Sequence, residues 1–99
     1  MNSQTPGWEE FLELCSKAQS TQELDRLFNL FLTIEEKELL SSRYLIIKEL
    51  CLGQMTQRKL AKTYKVSIAQ ITRGSNALKV IDKTLKTFLE KHLNFRWRR

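Results

Sequence analysis

Apolar residues recur every three or four positions along most of the chain, which is the spacing of amphipathic helices. No segment alternates between apolar and polar residues with a period of two, and no hairpin dipeptide occurs, so no strand is predicted. The predicted fold is therefore all-α, with about six helices in a single domain over residues 1–99. The predicted helix starts are Thr5-Pro6, Ser20-x-x-Glu23, Thr33-x-x-Glu36, Thr56, Ser67-x-x-Gln70 and Asp82, and Gly53 is a predicted helix end.

The second and third predicted helices are apolar around much of their circumference. A helix that is apolar all round has to be covered, and for a chain of 99 residues a second copy is the nearest cover. We expect a homodimer whose core comprises residues 1–53 and 82–94; a compact monomer is the alternative. The densest apolar run contains Leu27, Phe28, Leu30, Phe31 and Leu32.

Residues 57–80 have the pattern of a helix-turn-helix. Thr56 is placed to cap a short helix from Gln57 to about Tyr64, and a second helix begins at Ile68 after a short turn. Lys65 occupies the turn position where many such motifs have glycine, and a left-handed lysine costs on the order of 1 kcal/mol. The residues predicted to face the interior are Leu60, Ala61, Tyr64, Val66, Ile71 and Leu78.

Charge separates the chain into two halves. Residues 1–52 carry 5 Lys or Arg against 9 Asp or Glu, whereas residues 53–99 carry 12 against 2, for a net charge of +6. A basic helix-turn-helix on an acidic body favours binding to double-stranded DNA. A basic face that contacts only solvent, or a helical hairpin with no nucleic-acid partner, would account for the same charge. The candidate DNA contacts are Gln57, Arg58, Lys62, Ile68, Ala69, Gln70, Thr72 and Lys79.

Two arginines and a glycine stand out against their predicted helices. Arg43 falls within the apolar stripe of the third helix, and no neighbour three or four positions away is a carboxylate. It needs another partner, or else extends to solvent or to an ion pair on another helix. Gly74 either ends its helix or clears space against the backbone. Arg73 beside it suits a carboxylate or an aromatic ring.

Residues 27–79 resemble the tryptophan repressor family. The elements "LFLT", "GxMxQRxL" and "IxxITRGSNxLK" match that family in order and spacing without a gap, over about half of the chain. The resemblance implies an intertwined, all-helical homodimer that binds operator DNA of tryptophan-related genes when L-tryptophan is bound as corepressor. It implies no other cofactor and no metal.

The resemblance also implies roles for individual residues. The indole ring of the ligand would lie between the guanidinium planes of Arg43 and Arg73, and Arg73 would also hold the ligand carboxylate. The backbone carbonyls of Leu30 and Leu32 of the partner chain would receive the ammonium group, where the negative pole of a helix dipole suits a cation. The other implied contacts are Thr33, which would line the slot, and Gly74, which would let the ring lie close to the backbone.

Two residues depart from the family pattern. Ala77 stands where the family has a hydroxyl that helps to hold the ligand amino group, so discrimination for that group is expected to be weaker. Gln70 replaces a threonine on the recognition helix, and we expect an altered base preference because glutamine can pair with adenine.

Two other functions are alternatives. A ligand-independent helix-turn-helix regulator with the same core is the main alternative, and the Arg43/Arg73 pair argues against it. An enzyme is disfavoured, because the chain has one histidine, His92, and no acid cluster in its basic half. No catalytic or metal-binding residue is predicted.

The remaining features predict the cellular setting. No apolar run is long enough for a membrane span, and no signal peptide opens the chain. Cys15 and Cys51 lack metal-ligand spacing and are interpreted as reduced core residues of a cytoplasmic protein. The basic tail at residues 95–99, within "NFRWRR", is expected to be disordered, with phosphate contacts or cover for the dimer as alternatives.

Overall fold

The computed structural model describes residues 5–97, which are helical and contain no strand. The prediction of an all-α fold with six helices is confirmed. The chain divides into two compact units, residues 1–37 and 38–99. The helices are α1 (Trp8–Ser16), α2 (Thr21–Phe31), α3 (Ile34–Leu52), α4 (Gln57–Tyr64), α5 (Ile68–Lys79) and α6 (Lys83–Leu93).

In the first unit, aromatic rings hold α1 against α2. The Phe11 ring lies 5.1 Å from that of Phe31, edge-on, and 6.1 Å from that of Phe28. None of residues 5–37 is buried, and Leu30 remains 76% exposed. The apolar run predicted to need cover therefore has little cover within one chain.

Most predicted helix starts are confirmed by side-chain caps. The Thr33 hydroxyl accepts from the Glu36 N–H (3.1 Å), and the Glu36 carboxylate accepts from the Thr33 N–H (2.8 Å). Ser20, Thr56, Ser67 and Asp82 each cap the helix that follows them.

The predicted start of the first helix is wrong. α1 begins at Trp8, and its N-cap is Gly7, whose φ of 92° lies in the left-handed region. This backbone conformation favours glycine, so the chain enters α1 after Thr5-Pro6, and the N-cap residue itself supplies no side-chain hydrogen bond. Gly53, with a φ of 66°, follows the end of α3 as predicted.

The second unit contains the buried core of the chain. This core, called the helix-turn-helix core below, consists of Ile46 from α3, Leu60 from α4, Val66 from the turn and Ile71 from α5. Ile46 and Leu60 are 1% exposed and Ile71 is 0% exposed. Partly buried side chains surround it: Leu50, Met55, Ala61 and Tyr64.

Residues 94–97 fold back onto α6. The Trp97 backbone N–H donates to the Glu90 carboxylate (2.8 Å), and the Trp97 indole N–H donates to the Lys86 carbonyl (3.1 Å). The Phe95 ring lies 5.0 Å from the Trp97 ring. The expected disorder of the tail is therefore wrong for this segment, because its tryptophan satisfies both of its donors on α6. Residues 98 and 99 lie outside the described part of the chain.

Candidate ligand cleft and nucleic-acid interface

The predicted helix-turn-helix is confirmed, and its turn is built on Lys65. This residue adopts the left-handed conformation (φ 55°, ψ 45°), and its N–H donates to the Ala61 carbonyl. The next N–H, that of Val66, donates to the same carbonyl (3.1 Å). Val66 is buried beneath the turn, so burial of its side chain offsets the cost of the left-handed lysine.

The outer surface of α4 and α5 carries the candidate DNA contacts. Ala69 and Thr72 are exposed at the start of α5, and Ile68 is 53% exposed, whereas Gln70 is only half-exposed. The cations of this surface have no carboxylate partner within residues 5–97. Lys59, which was not among the predicted contacts, is a further exposed cation on this surface. The other exposed candidates are Gln57, Arg58, Lys62 and Lys79.

A cleft of about 340 Å³ opens between α3 and α5, and all the residues that line it belong to the second unit. Arg43 of α3 and Arg73 of α5, singled out from the sequence, both line it. Neither guanidinium has an ion-pair partner among the described residues. The size falls in the range of small-molecule sites, which are mostly apolar with a few polar groups. The other lining residues are Leu39, Leu40, Ile46 and Gln70.

Arg43 differs in one respect from the sequence interpretation. The apolar stripe around it suggested a partly buried arginine, but Arg43 is exposed, as are Leu39 (60%) and Leu40 (53%). This end of α3 is open in a single chain, so water solvates the guanidinium. The missing carboxylate is thus explained without a buried charge.

Gly74 is required by helix packing. It is buried within α5, and a Cβ at this position would lie 2.8 Å from Cγ2 of Ile46. That distance is too short for two carbons, so glycine lets α5 approach α3. The helix does not end there, and the space that Gly74 clears is filled by a side chain of α3. Its implied role beneath a ligand ring stays a prediction.

The three remaining implied ligand contacts belong to the first unit. Leu32 is the C-cap of α2, and the Thr33 hydroxyl is engaged in capping α3. The Leu30 side chain points largely to solvent. Their predicted role concerns a partner chain and stays a prediction. Ala77 is exposed on α5.

A partly buried hydrogen bond, missed from the sequence, joins α3 to α4. The Tyr64 hydroxyl donates to the carboxylate of Glu49 (2.7 Å), and Glu49 is only 7% exposed. The hydrogen bond to Glu49 is the largest of three causes that raise the pKa of Tyr64, followed by burial and by the negative charge of Glu49. Sequence spacing could not pair residues from two helices, although Tyr64 was predicted to face inward.

Burial raises the pKa of the Cys51 thiol, and both cysteines are free, with Cys51 buried and Cys15 partly so. Neither lies in a group of three or more His, Cys, Asp or Glu side chains that could bind a metal, within residues 5–97. None of the helices in that range is both long and apolar enough to cross a membrane.

Comparison with known proteins gives consistent matches over nearly the whole chain. The sequence model of the Trp repressor protein family matches residues 6–93. A Trp operon repressor homolog of Chlamydia trachomatis is 52% identical over 92 residues, which cover 93% of this chain and 98% of that protein. One of Chlamydia caviae is 56% identical over 88 residues (89% and 86%). One of Vibrio campbellii is 38% identical over 88 residues (85% and 88%).

Proposed function

The chain belongs to the Trp repressor family, and from this premise we propose that it is a transcriptional repressor whose corepressor is L-tryptophan. The ligand binds in the cleft between α3 and α5. The observation that carries the proposal is that Arg43 and Arg73, which have no ion-pair partner among residues 5–97, line one cleft together with apolar side chains. This combination suits an amino acid with a large aromatic side chain.

Each part of tryptophan is proposed to contact a chemically complementary group, either in the cleft or on the second copy of the chain. The indole ring stacks between the two guanidinium planes, with Leu39 and Leu40 beside it. The ligand carboxylate pairs with Arg73, whose guanidinium can donate two parallel hydrogen bonds. Leu30, Leu32 and Thr33 are proposed to reach the ligand from the second copy of the chain. The negative end of α2 then faces the ligand ammonium group.

A homodimer is proposed because large apolar side chains remain uncovered in one chain. Leu30 is 76% exposed and Ile34 is 75% exposed, and both α1 and α6 also present apolar residues. Exposed apolar surface of this extent marks a protein–protein contact. Two copies related by a two-fold axis also present two helix-turn-helix segments, residues 57–80 of each chain, to DNA. A palindromic operator requires two such segments, called the reading heads below.

The recognition helix α5 is proposed to enter the major groove by its N-terminal end. Its exposed residues there are Ile68, Ala69 and Thr72, with Gln70 beside them. The basic residues of α4 then lie along the phosphate backbone, which positions the protein without reading sequence. The proposed phosphate contacts are Gln57, Arg58, Lys62 and Lys79.

The ligand acts by fixing the orientation of the reading head. Arg43 stands on α3 and Arg73 on the recognition helix, so a ring held between them couples the positions of the two helices. The two heads must match half-sites about 34 Å apart, and a small tilt prevents both from docking. Tryptophan promotes DNA binding only to the extent that it binds the competent orientation more tightly than the other.

The test is DNA binding to the region upstream of the protein's own gene, at fixed salt, with and without L-tryptophan. We expect affinity to rise tenfold or more with tryptophan, a coupling of at least ~1.4 kcal/mol. Equal binding in both conditions would instead support a ligand-independent regulator with the same fold.

The matched variants are Arg43→Ala and Lys48→Ala, which remove one positive charge each from the same helix. Only Arg43 lines the cleft. Arg43→Ala should abolish the response to tryptophan while leaving weak, salt-sensitive DNA binding. Lys48→Ala should retain the response. A full response in Arg43→Ala would show that the ligand binds elsewhere.

A further inference from the structure

Gln70 is held in a capping box at the start of the recognition helix. The Ser67 N–H donates to Oε1 of Gln70 (2.8 Å), and the Gln70 N–H donates to Oγ of Ser67 (3.1 Å). Both bonds of the box are present, and Gln70 is the third residue of α5. The long side chain is thus folded back along the helix start.

This arrangement fixes which end of the amide is free. A backbone N–H can be received only by the amide oxygen, so Oε1 must face Ser67. The amide nitrogen then points away with two N–H donors, and no acceptor within residues 5–97 receives them. Gln70 is partly buried, next to the exposed Ala69 and Thr72.

The consequence is a change in which base the side chain can read. The bidentate pairing of glutamine with adenine needs its oxygen and its nitrogen to face the base edge together. Here the oxygen faces the Ser67 N–H, so it cannot face a base edge together with the nitrogen, and the side chain presents its N–H donors to the base. Guanine offers two acceptors in the major groove, N7 and O6, so both amide N–H groups can bind it. Adenine and thymine each offer one acceptor there, and cytosine offers only an N4 donor.

We propose that Gln70, restrained by its capping box, reads guanine in the operator through its amide N–H groups. This inference rests on the proposed function and deepens it, since it names a base preference and the residue that determines it. It also replaces the pairing with adenine that the residue type alone suggested.

The matched variant is Gln70→Glu. A glutamate at this position keeps an oxygen acceptor for the Ser67 N–H, so the capping box is retained. The two donors are replaced by a second acceptor, and carboxylates accept from cytosine N4. Gln70→Ala removes both groups and serves as the variant without any base preference of its own.

The experiment selects bound duplexes from a pool based on the protein's own upstream region, with each position varied in turn. Salt is fixed and L-tryptophan is present. Wild type should prefer guanine about tenfold at one position of each half-site, Gln70→Glu should change that preference to cytosine, and Gln70→Ala should lose it. Helical content is checked in each variant by circular dichroism.

Three results would overturn the proposal. One is a wild-type preference for adenine that Gln70→Ala abolishes, and another is a set of base preferences that neither variant changes. The third is a loss of L-tryptophan affinity without DNA in both variants, with base preferences unaltered, which would assign Gln70 to the ligand cleft that it also lines. The proposed function fails separately, if wild-type DNA binding does not depend on tryptophan.

Discussion

The first unit and the helix-turn-helix segment, residues 57–80, both carry apolar residues at helical spacing, but these residues differ greatly in burial. Residues 5–37 contain no buried side chain, although α1 and α2 share a cluster of aromatic rings. In the helix-turn-helix core, Leu60 and Ile71 are almost completely buried by neighbours from the same chain. An apolar pattern predicts that a surface will be covered, but not which chain will cover it. We infer that the apolar residues of the reading head are buried by residues of the same chain, whereas the apolar surface of the first unit is covered by a second copy.

Leu30→Asp should have the largest effect on the apolar surface of the first unit. Leu30 is 76% exposed, so in a monomer the change would alter stability little. In a dimer it should weaken association by at least about 100-fold, because a carboxylate is buried in an apolar contact and the symmetric interface contains it twice. Sedimentation equilibrium measures the dissociation constant. Gln22→Asp, which adds a charge at another exposed position of α2, is the control. Unchanged association in Leu30→Asp would place the interface elsewhere.

Ile71→Ala tests whether the helix-turn-helix core is closed within a single chain. The side chain is 0% exposed, so its truncation should lower the free energy of unfolding by about 2–5 kcal/mol. Ile68→Ala, on the same helix but 53% exposed, should cost about 0.5 kcal/mol or less. Urea denaturation at one fixed protein concentration compares the two. Equal losses would mean that the core of a single chain is not closed as described.

Gly74→Ala tests how closely α5 approaches α3. Overpacking against Ile46 should cost about 1–3 kcal/mol, from which about 1 kcal/mol of improved helix propensity is recovered. The net change is a modest destabilisation, measured by urea denaturation, whereas Asn76→Ala on the exposed face of α5 should not destabilise comparably.

A double-mutant cycle assigns the cause of that loss. If Ile46 is the obstacle, Gly74→Ala should be less costly in an Ile46→Ala background than in wild type. Additive effects of the two substitutions would rule out the contact between these residues as the source of the loss.

Tyr64→Phe should have the smallest effect and a distinctive dependence on pH. The folded state raises the pKa of Tyr64 above its ordinary value of about 10, so the unfolded chain loses the proton first as pH rises. The stabilisation that this pKa shift contributes is complete below the unfolded-state pKa of about 10, and it is lost as pH rises through the folded-state pKa. Wild type should therefore lose unfolding free energy more steeply than Tyr64→Phe above pH of about 10. Tyr44→Phe, at an exposed position, should follow wild type.

The sequence predicted those parts of the fold that depend on local spacing. Helix number, most caps, the helix-turn-helix and its inward residues follow from periodicity and capping chemistry, which act over three or four positions. The start of α1 was wrong because a left-handed Gly7 supplies the entry to that helix. The folded tail was missed because Trp97 bonds to two residues of α6 that no short-range pattern connects with it.

The candidate site also has some features that the sequence predicted and others that depend on how the helices pack. The residue types and the family resemblance identified Arg43 and Arg73, and the structure places both on one cleft. The contact between Gly74 and Ile46 and the hydrogen bond between Glu49 and Tyr64 depend on how helices pack, and a single sequence does not encode them in its spacing. The role of Gln70 depends on one hydrogen bond to its amide oxygen, which the residue type alone left open.

A ligand in the Arg43–Arg73 cleft and DNA on the recognition helix are proposed to favour the same orientation of the reading head. The most direct test is calorimetric measurement of L-tryptophan affinity with and without saturating operator DNA. Because coupling is reciprocal, DNA should raise tryptophan affinity by the same factor by which tryptophan raises DNA affinity, tenfold or more. Tryptophan binding that is equally tight in both conditions, or no tryptophan binding at all, would contradict this coupling.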